Sequence, residues 1–112
     1  MLSVNGDVIT LTRGDSAALT VEIFTEDESG NRTLRETDPG DTLRLSVKRH
    51  PEDPVFVFQK TVVGESTVTV DPIDTKYLPP MRYFYDVELC TPSGDVYTVV
   101  GPAPLILEED VT

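Results

Sequence analysis

Two side chains in the sequence have the chemistry to act directly on a substrate, the imidazole of His50 and the thiol of Cys90. General-base catalysis by His50 would need a nucleophile and an orienting carboxylate to converge on it. A catalytic thiol needs a nearby cation or a helix N-terminus, whereas the sequence neighbours of Cys90 are acidic. No recognisable nucleophile motif accompanies either residue. We therefore interpret His50 as a solvated turn residue and Cys90 as a small apolar filler, and we predict no enzymatic activity.

Oxygen donors are dense in two loops, Glu26–Asn31 and Asp38–Asp41, and carboxylates in loops can ligate calcium. Neither loop has the D-x-[DN]-x-[DN]-G spacing of a calcium-binding loop, so solvated turn acids are the expected state and calcium binding is the alternative. One histidine and one cysteine form neither a zinc site nor an intramolecular disulfide. The sequence predicts no metal and no cofactor.

The tripeptide Arg13-Gly14-Asp15 spells an integrin-binding motif, but three residues are too short to be specific. Because glycine accepts a positive φ, the tripeptide predicts a tight turn. The preceding residues lack both a basic region and a continuous apolar run, so we expect no signal peptide.

Acidic residues dominate the charge: 20 Asp and Glu face 9 Lys and Arg, which gives a formal net charge of −11. Nucleic acids and anionic membranes bind cationic surfaces, so neither is an expected partner. No apolar run reaches the ~18 residues of a spanning helix. The simplest interpretation of the charge is that it keeps the chain soluble. The more specific interpretation is a partner that has a basic face.

Period-2 alternation of apolar residues recurs along the whole chain and predicts short strands separated by turns. The central unit is a hairpin within Asp74–Leu107, entered through Leu78-Pro79-Pro80. Its first strand places Tyr83, Tyr85, Val87 and Leu89 on one face, and Thr91–Asp95 forms its turn. Further strands are expected at Val8–Thr12, Ala17–Ile23, Thr42–Arg49, Val55–Val63 and Ser66–Asp71, with one helical turn at Pro72–Leu78 and a last strand near Leu105–Leu107 bent at a sheet edge.

Seven or eight strands with little helix predict one all-β domain over residues 1–112, a sandwich or a barrel. The Leu-Pro-Pro corner before an aromatic strand favours an immunoglobulin-like antiparallel β-sandwich. In the fibronectin pattern the aromatic residue lies six positions after the leucine, which here is Phe84 rather than a tyrosine. Tyr83 and Tyr85 flank that position.

Four aromatic residues, Phe56, Phe58, Tyr77 and Tyr97, are the candidate interface. The run Val55–Phe58 is apolar at every position, which predicts a strand that is covered on both faces or exposes one face to a partner.

Three blocks together resemble a known group of proteins: ITLTRGD at Ile9–Asp15, DTLRLSVK at Asp41–Lys48, and DTKYLPPMRYFYDVELCTPSGDVYTVV at Asp74–Val100. In this order they resemble small all-β proteins encoded among the structural genes of tailed phages and prophages of Gram-positive gut bacteria. They are also similar to the N-terminal domain of phage baseplate upper proteins.

The resemblance implies a non-catalytic virion component of the tail or baseplate, assembled in the cytoplasm of the bacterial host. Its implied partners are other virion proteins or further copies of the chain. A carbohydrate- or receptor-binding module is the alternative, which would need stacked exposed aromatic side chains.

Overall fold

The computed structural model describes residues 2–5 and 7–110, with side chains from residue 7 onward. Its elements, in chain order, are β1 (Leu2–Asn5), β2 (Val8–Thr12), β3 (Ala17–Thr20), β4 (Ile23–Glu26), β5 (Arg32–Arg35), β6 (Thr42–Lys48), β7 (Phe58–Val63), β8 (Thr67–Val70), α1 (Pro72–Lys76), β9 (Arg82–Cys90) and β10 (Val96–Glu108). The prediction of an all-β chain is confirmed.

Six strands form one curled sheet in the order β1-β2-β10-β9-β6-β7. The predicted central hairpin is present as the antiparallel pair β9–β10. The sequence predicted that the last strand lies at a sheet edge, and this is wrong. The second half of β10 pairs with β9 on one side and with β2 on the other. The β2–β10 pair is parallel, so the sheet is mixed, and the described residues contain ten strands rather than seven or eight.

The core lies on the concave face of this sheet. Along β9 the side chains alternate as predicted, with Tyr83, Tyr85, Val87 and Leu89 at most 5% exposed. The neighbouring strands contribute the other buried apolar side chains, which include Ile9, Leu11, Leu43, Leu45, Val47, Leu105 and Leu107. Burial of these side chains is the main favourable contribution to folding.

The antiparallel pair β3–β8 contributes to the same core through Ala17, Val68 and Val70. The sequence predicted one continuous strand from Ala17 to Ile23, but the chain changes partners within it. The Val21 N–H donates to the Ser66 carbonyl at 2.8 Å, and from Ile23 onward the chain pairs with β5 instead. Alternation of side chains continues through this change, which is why it is invisible in the sequence.

The corner before β9 is fixed by two hydrogen bonds, one local and one between residues 61 positions apart. The Tyr83 hydroxyl donates to the Pro79 carbonyl at 2.6 Å, four residues upstream. The Gly14 N–H donates to Thr75 Oγ1 in α1 at 2.8 Å, so the predicted Arg13–Asp15 turn is confirmed and is tied to the helical turn.

The predicted strand at Val55–Phe58 is wrong for its first three residues, because β7 begins only at Phe58. Pro54 has no N–H for a ladder, and Asp53 Oδ1 accepts the Val55 N–H at 3.1 Å, which holds a turn. The ladder resumes where the Val57 N–H donates to the Val47 carbonyl at 2.8 Å. Val55 and Phe56 are therefore exposed, at 67% and 46%.

Candidate binding cleft

The two residues with catalytic chemistry lie at opposite ends of the β6–β9 pair. Cys90 pairs with Thr42 at the start of β6, and His50 follows the end of β6 in an exposed turn. The seven residues of β6 span roughly 20 Å at about 3.3 Å per residue. His50 and Cys90 therefore do not share a site.

Cys90 lies on the face of β9 opposite the buried tyrosines, as predicted, and is half-buried. Its environment differs from the acidic one expected, because an Arg44 guanidinium nitrogen on the neighbouring strand lies 3.6 Å from its sulfur. The contact joins residues 46 positions apart, so sequence neighbours gave no sign of it.

The four candidate interface aromatics do not form one patch. Phe58 begins β7 and Tyr97 lies near the start of β10, which is three strands away in the sheet order. At about 4.8 Å per strand this separates them by roughly 14 Å. Tyr77 is 78% exposed beside Lys76, and Phe56 lies 5.0 Å from the Lys48 ammonium.

The loop acids proposed as calcium ligands already accept hydrogen bonds from nitrogen. Asp27 Oδ1 accepts the N–H groups of Ser29 and Asn31, each at 2.9 Å. The Asn31 backbone and side-chain amides, in that order of effect, lower the pKa of Asp27 below its usual range. The first loop is therefore closed around Asp27 by its own amides.

Asp41 is completely buried, whereas the sequence analysis treated its loop as solvated acids. Its Oδ2 accepts an Arg35 guanidinium N–H at 2.8 Å and the Asp38 N–H at 2.9 Å. The Arg35 hydrogen bond, followed by that from Asp38, lowers the pKa of the Asp41 carboxyl. This ion pair fastens the base of the β4–β5 hairpin to the start of β6.

The β4–β5 hairpin, hereafter the arm, pairs with no other described strand. Phe24 and Leu34 face each other across it and are 44% and 51% exposed. The Arg32 guanidinium lies 4.6 Å from the centre of the Phe24 ring, which favours a cation–π contact. Phe24 was not among the interface candidates predicted from the sequence.

A cleft of about 490 Å³ opens between the β3–β4 segment and the concave face of the large sheet. We name it the β3 cleft. One wall consists of Ala18–Glu22 and Phe24, and the other of Ile9, Tyr85, Val87 and Val100, with Asp7 completing the lining. Its volume lies within the range of about 300–1,000 Å³ that is usual for ligand sites.

The first wall follows one edge of β3 and continues into Val21 and Glu22. Successive side chains of a strand point to opposite faces, yet the consecutive residues Ala18–Glu22 all line the cleft. A strand that turns its edge to the cleft presents the side chains of both its faces to it. No described strand pairs with this edge of β3, because its sheet contains only β3 and β8.

Two acidic residues, Asp7 and Glu22, belong to the lining. Both residues are exposed, and neither takes part in the ion pairs found among the described side chains. The Tyr85 hydroxyl donates to the Asp7 carbonyl, which fixes the start of β2 beside the cleft. The cleft is thus apolar inside and acidic outside.

Within the described residues, no helix is long and apolar enough to cross a membrane. The same residues contain no group of three or more His, Cys, Asp or Glu side chains placed to hold a metal ion. No protein-family model matches the chain, and no curated protein sequence matches it.

Proposed function

We propose that the chain is a non-catalytic structural or assembly component of a phage or prophage virion, in the tail or baseplate. It acts through contacts with other virion proteins or with further copies of itself, after assembly in the cytoplasm of the bacterial host. The resemblance of its three sequence blocks to phage structural proteins supports the virion assignment, and the arm supports the contact role.

The observation that carries the contact role is the exposed apolar pair on the arm. Phe24 and Leu34 present adjoining apolar surface on a hairpin without a described strand partner. Exposed apolar patches on soluble proteins mark interaction sites when they are contiguous. The partly buried Arg35–Asp41 ion pair holds the base of the arm, so binding would require little ordering of its root.

The immunoglobulin-like sandwich belongs to the same proposal. In that fold a tyrosine at the start of one strand donates its hydroxyl to a backbone carbonyl a few residues upstream. Tyr83 makes such a bond to Pro79, which supports Tyr83, rather than Phe84, as the corner tyrosine of the proposed sandwich. The layer β3–β8 would be the second sheet of the sandwich.

Particle composition tests the virion assignment directly. After induction of a prophage that encodes the chain, purified particles should contain it at a fixed ratio to the other tail proteins by quantitative mass spectrometry. Its absence from intact particles would contradict the proposal.

The contact role is tested separately with the variant Phe24→Ser/Leu34→Ser, and Val63→Ser is the matched control, since Val63 is 63% exposed on a different strand. We expect the arm variant to remain folded by circular dichroism but to be reduced at least about tenfold in particles, as for loss of interface anchors worth about 1.4 kcal/mol or more. Equal incorporation of both variants would contradict a role for the arm.

A carbohydrate- or receptor-binding module is the second candidate, favoured by the exposure of Tyr77 at 78% and Tyr97 at 53%. Exposed aromatic faces stack on apolar faces of ligands. Glycan-array binding that is lost in Tyr77→Ala or Tyr97→Ala would support this candidate over the assembly role.

A further inference from the structure

We infer that the β3 cleft accepts an extended segment of a partner protein, with apolar side chains at alternate positions and a lysine or arginine beside them. The inference rests on the proposed contact function, and it names the site and the chemistry of the partner. The arm adjoins this site, because Phe24 belongs both to the arm and to the lining of the cleft.

The shape of the cleft fits a strand. Its first wall runs along the edge of β3 and the two residues after it, and no described strand pairs with this edge. Extended peptides bind sheet edges in this way, with backbone hydrogen bonds for affinity and pockets for alternate side chains. The wall Ala18–Glu22 accommodates about 16 Å of extended chain at about 3.3 Å per residue.

The opposite wall explains why alternate side chains should be apolar. Tyr85, Val87 and Val100 line it, and the first two belong to the core face of β9. A strand laid along β3 directs every second side chain toward this wall, where burial of apolar groups is favourable.

The charge of the rim selects a cationic partner. Asp7 and Glu22 carry exposed carboxylates without an ion pair among the described side chains, and the chain has a net charge of −11. A lysine or arginine on the partner segment would neutralise this rim, and complementary charge also accelerates encounter.

A second copy of the chain is a poorer occupant, because the cleft favours an extended segment that is both apolar and basic. The run of this chain that best combines alternating apolar and basic residues is β6 (Thr42–Lys48), which is held between β7 and β9 in the large sheet. It cannot enter another molecule without breaking two ladders.

The test uses the acetylated, amidated peptide KVTVTVK as the probe, with EVTVTVE as the charge-reversed control. Titration is followed by amide chemical shifts of the intact chain. We expect the largest shifts at Ala18–Glu22 and Val100, and weaker binding of the control peptide by about tenfold or more. The outer edge of β7 (Phe58–Val63), which pairs with no described strand, serves as the internal reference and should not shift.

Variants then separate charge from shape. Asp7→Asn/Glu22→Gln should weaken KVTVTVK by about three- to tenfold, whereas Glu52→Gln/Glu65→Gln, which removes the same charge from exposed positions outside the lining, should leave its affinity unchanged. Absence of binding, shifts confined to β7, or equal loss in both variants would overturn the inference.

Light scattering of the free chain addresses the second copy. A concentration-dependent dimer that Asp7→Asn/Glu22→Gln abolishes would make the chain its own occupant and overturn the inference. The particle experiment is independent of these results, since the chain can be a virion component whether or not its cleft binds the peptide.

Discussion

Hydrogen bonding by a few side chains decides how the irregular parts of this chain are held. The Arg35 guanidinium donates to Asp41 at the base of the arm, and the Gly14 N–H donates to the Thr75 hydroxyl. The Tyr83 hydroxyl donates to the Pro79 carbonyl at the corner before β9. Each of these bonds reaches between elements, and a buried polar group that has such a partner avoids the cost of desolvation.

The corner bond can be measured by removing one oxygen. Tyr83→Phe keeps the buried ring but loses the hydroxyl that donates to Pro79, and we expect the free energy of unfolding in urea to fall by about 0.5–1.5 kcal/mol. Tyr77→Phe removes a hydroxyl from a side chain that is 78% exposed and should change stability by less than about 0.5 kcal/mol. Equal effects would contradict the assignment of the corner.

The buried tyrosines also predict how stability depends on alkaline pH. Burial raises the pKa of Tyr83 and of Tyr85 above the ordinary value of 10.0. In the unfolded chain these groups ionise at their ordinary value, so the stability they provide is complete below about pH 10 and is lost as the pH rises further. The Tyr83→Phe/Tyr85→Phe variant should therefore lose stability less steeply above pH 10 in urea titrations.

Asp86 is a charge held in an unfavourable place. Its Oδ1 is buried without a hydrogen-bond partner among the described residues. Burial first, and then the neighbouring Glu88, raises the pKa of its carboxyl, and Lys48 opposes this only in part. The native state therefore disfavours the ionised form.

We expect Asp86→Asn to raise the free energy of unfolding at pH 7 by about 0.5–1 kcal/mol. Because the native pKa is raised, Asp86 costs no stability at pH values below its ordinary pKa of 3.8, where it is protonated in both the folded and the unfolded chain. Stability is lost as the pH rises above that value. The gain in the variant should therefore disappear below pH 4. Glu52→Gln is the matched control, and a gain of the same size there would point to net charge instead.

Strands and turns were the most predictable elements. Alternation placed β2, β6, β8 and β9 correctly because one face of each is buried, and a period of two then appears directly in the residues. It failed for β3–β4 and for Val55–Val57, where the chain keeps its alternation or its apolar character but changes or loses its hydrogen-bond partner. Partner choice is a long-range property that residue types do not encode locally.

Within β10, Gly101 marks a close approach between two strands. It has a φ of +94°, and a Cβ placed there would lie 2.5 Å from the Tyr85 carbonyl oxygen. Gly94 has a similar φ of +91°, and apart from its chain neighbours no described heavy atom lies within 4 Å of such a Cβ. Substitutions at the two glycines can therefore be compared to distinguish the cost of a positive φ from the cost of a steric clash.

We expect Gly94→Ala to cost about 1 kcal/mol from the positive φ alone. Gly101→Ala carries the same strain and also a backbone clash, so it should cost at least about 2 kcal/mol and shift the amide resonances of β9. Chemical denaturation of both variants gives the comparison. An equal cost would show that the strands can separate without penalty.

For the whole molecule, the excess of acidic residues is a source of self-repulsion in the folded state. A net charge of −11 favours expansion, and salt screens exposed charges over about 8–10 Å at physiological strength. We expect the melting temperature to rise between about 0.01 and 0.5 M sodium chloride. The melting temperature of the variant Glu26→Gln/Glu28→Gln should rise less with salt. A melting temperature that falls with salt would show that the ion pairs dominate.

The cleft could not be predicted at this scale. It exists because β3 pairs with one described strand and because Val100 of β10 lies opposite its free edge. Neither fact follows from composition or from alternation. The buried state of Asp41 was hidden for a similar reason, since its partner Arg35 belongs to β5, within a polar stretch of the sequence.

The parallel pairing of β2 with the end of β10 also determines how the molecule would respond to mechanical tension. Leu105 to Glu108 lie beside Ile9 to Thr12 in the same direction, so pulling the chain before β2 away from the chain after β10 slides the two strands past each other. Their ladder bonds lie across that pull and share the load together, whereas an antiparallel pair pulled from its open end unzips one bond at a time. After β1 peels away, we expect this junction to resist extension more strongly than the hairpins around it.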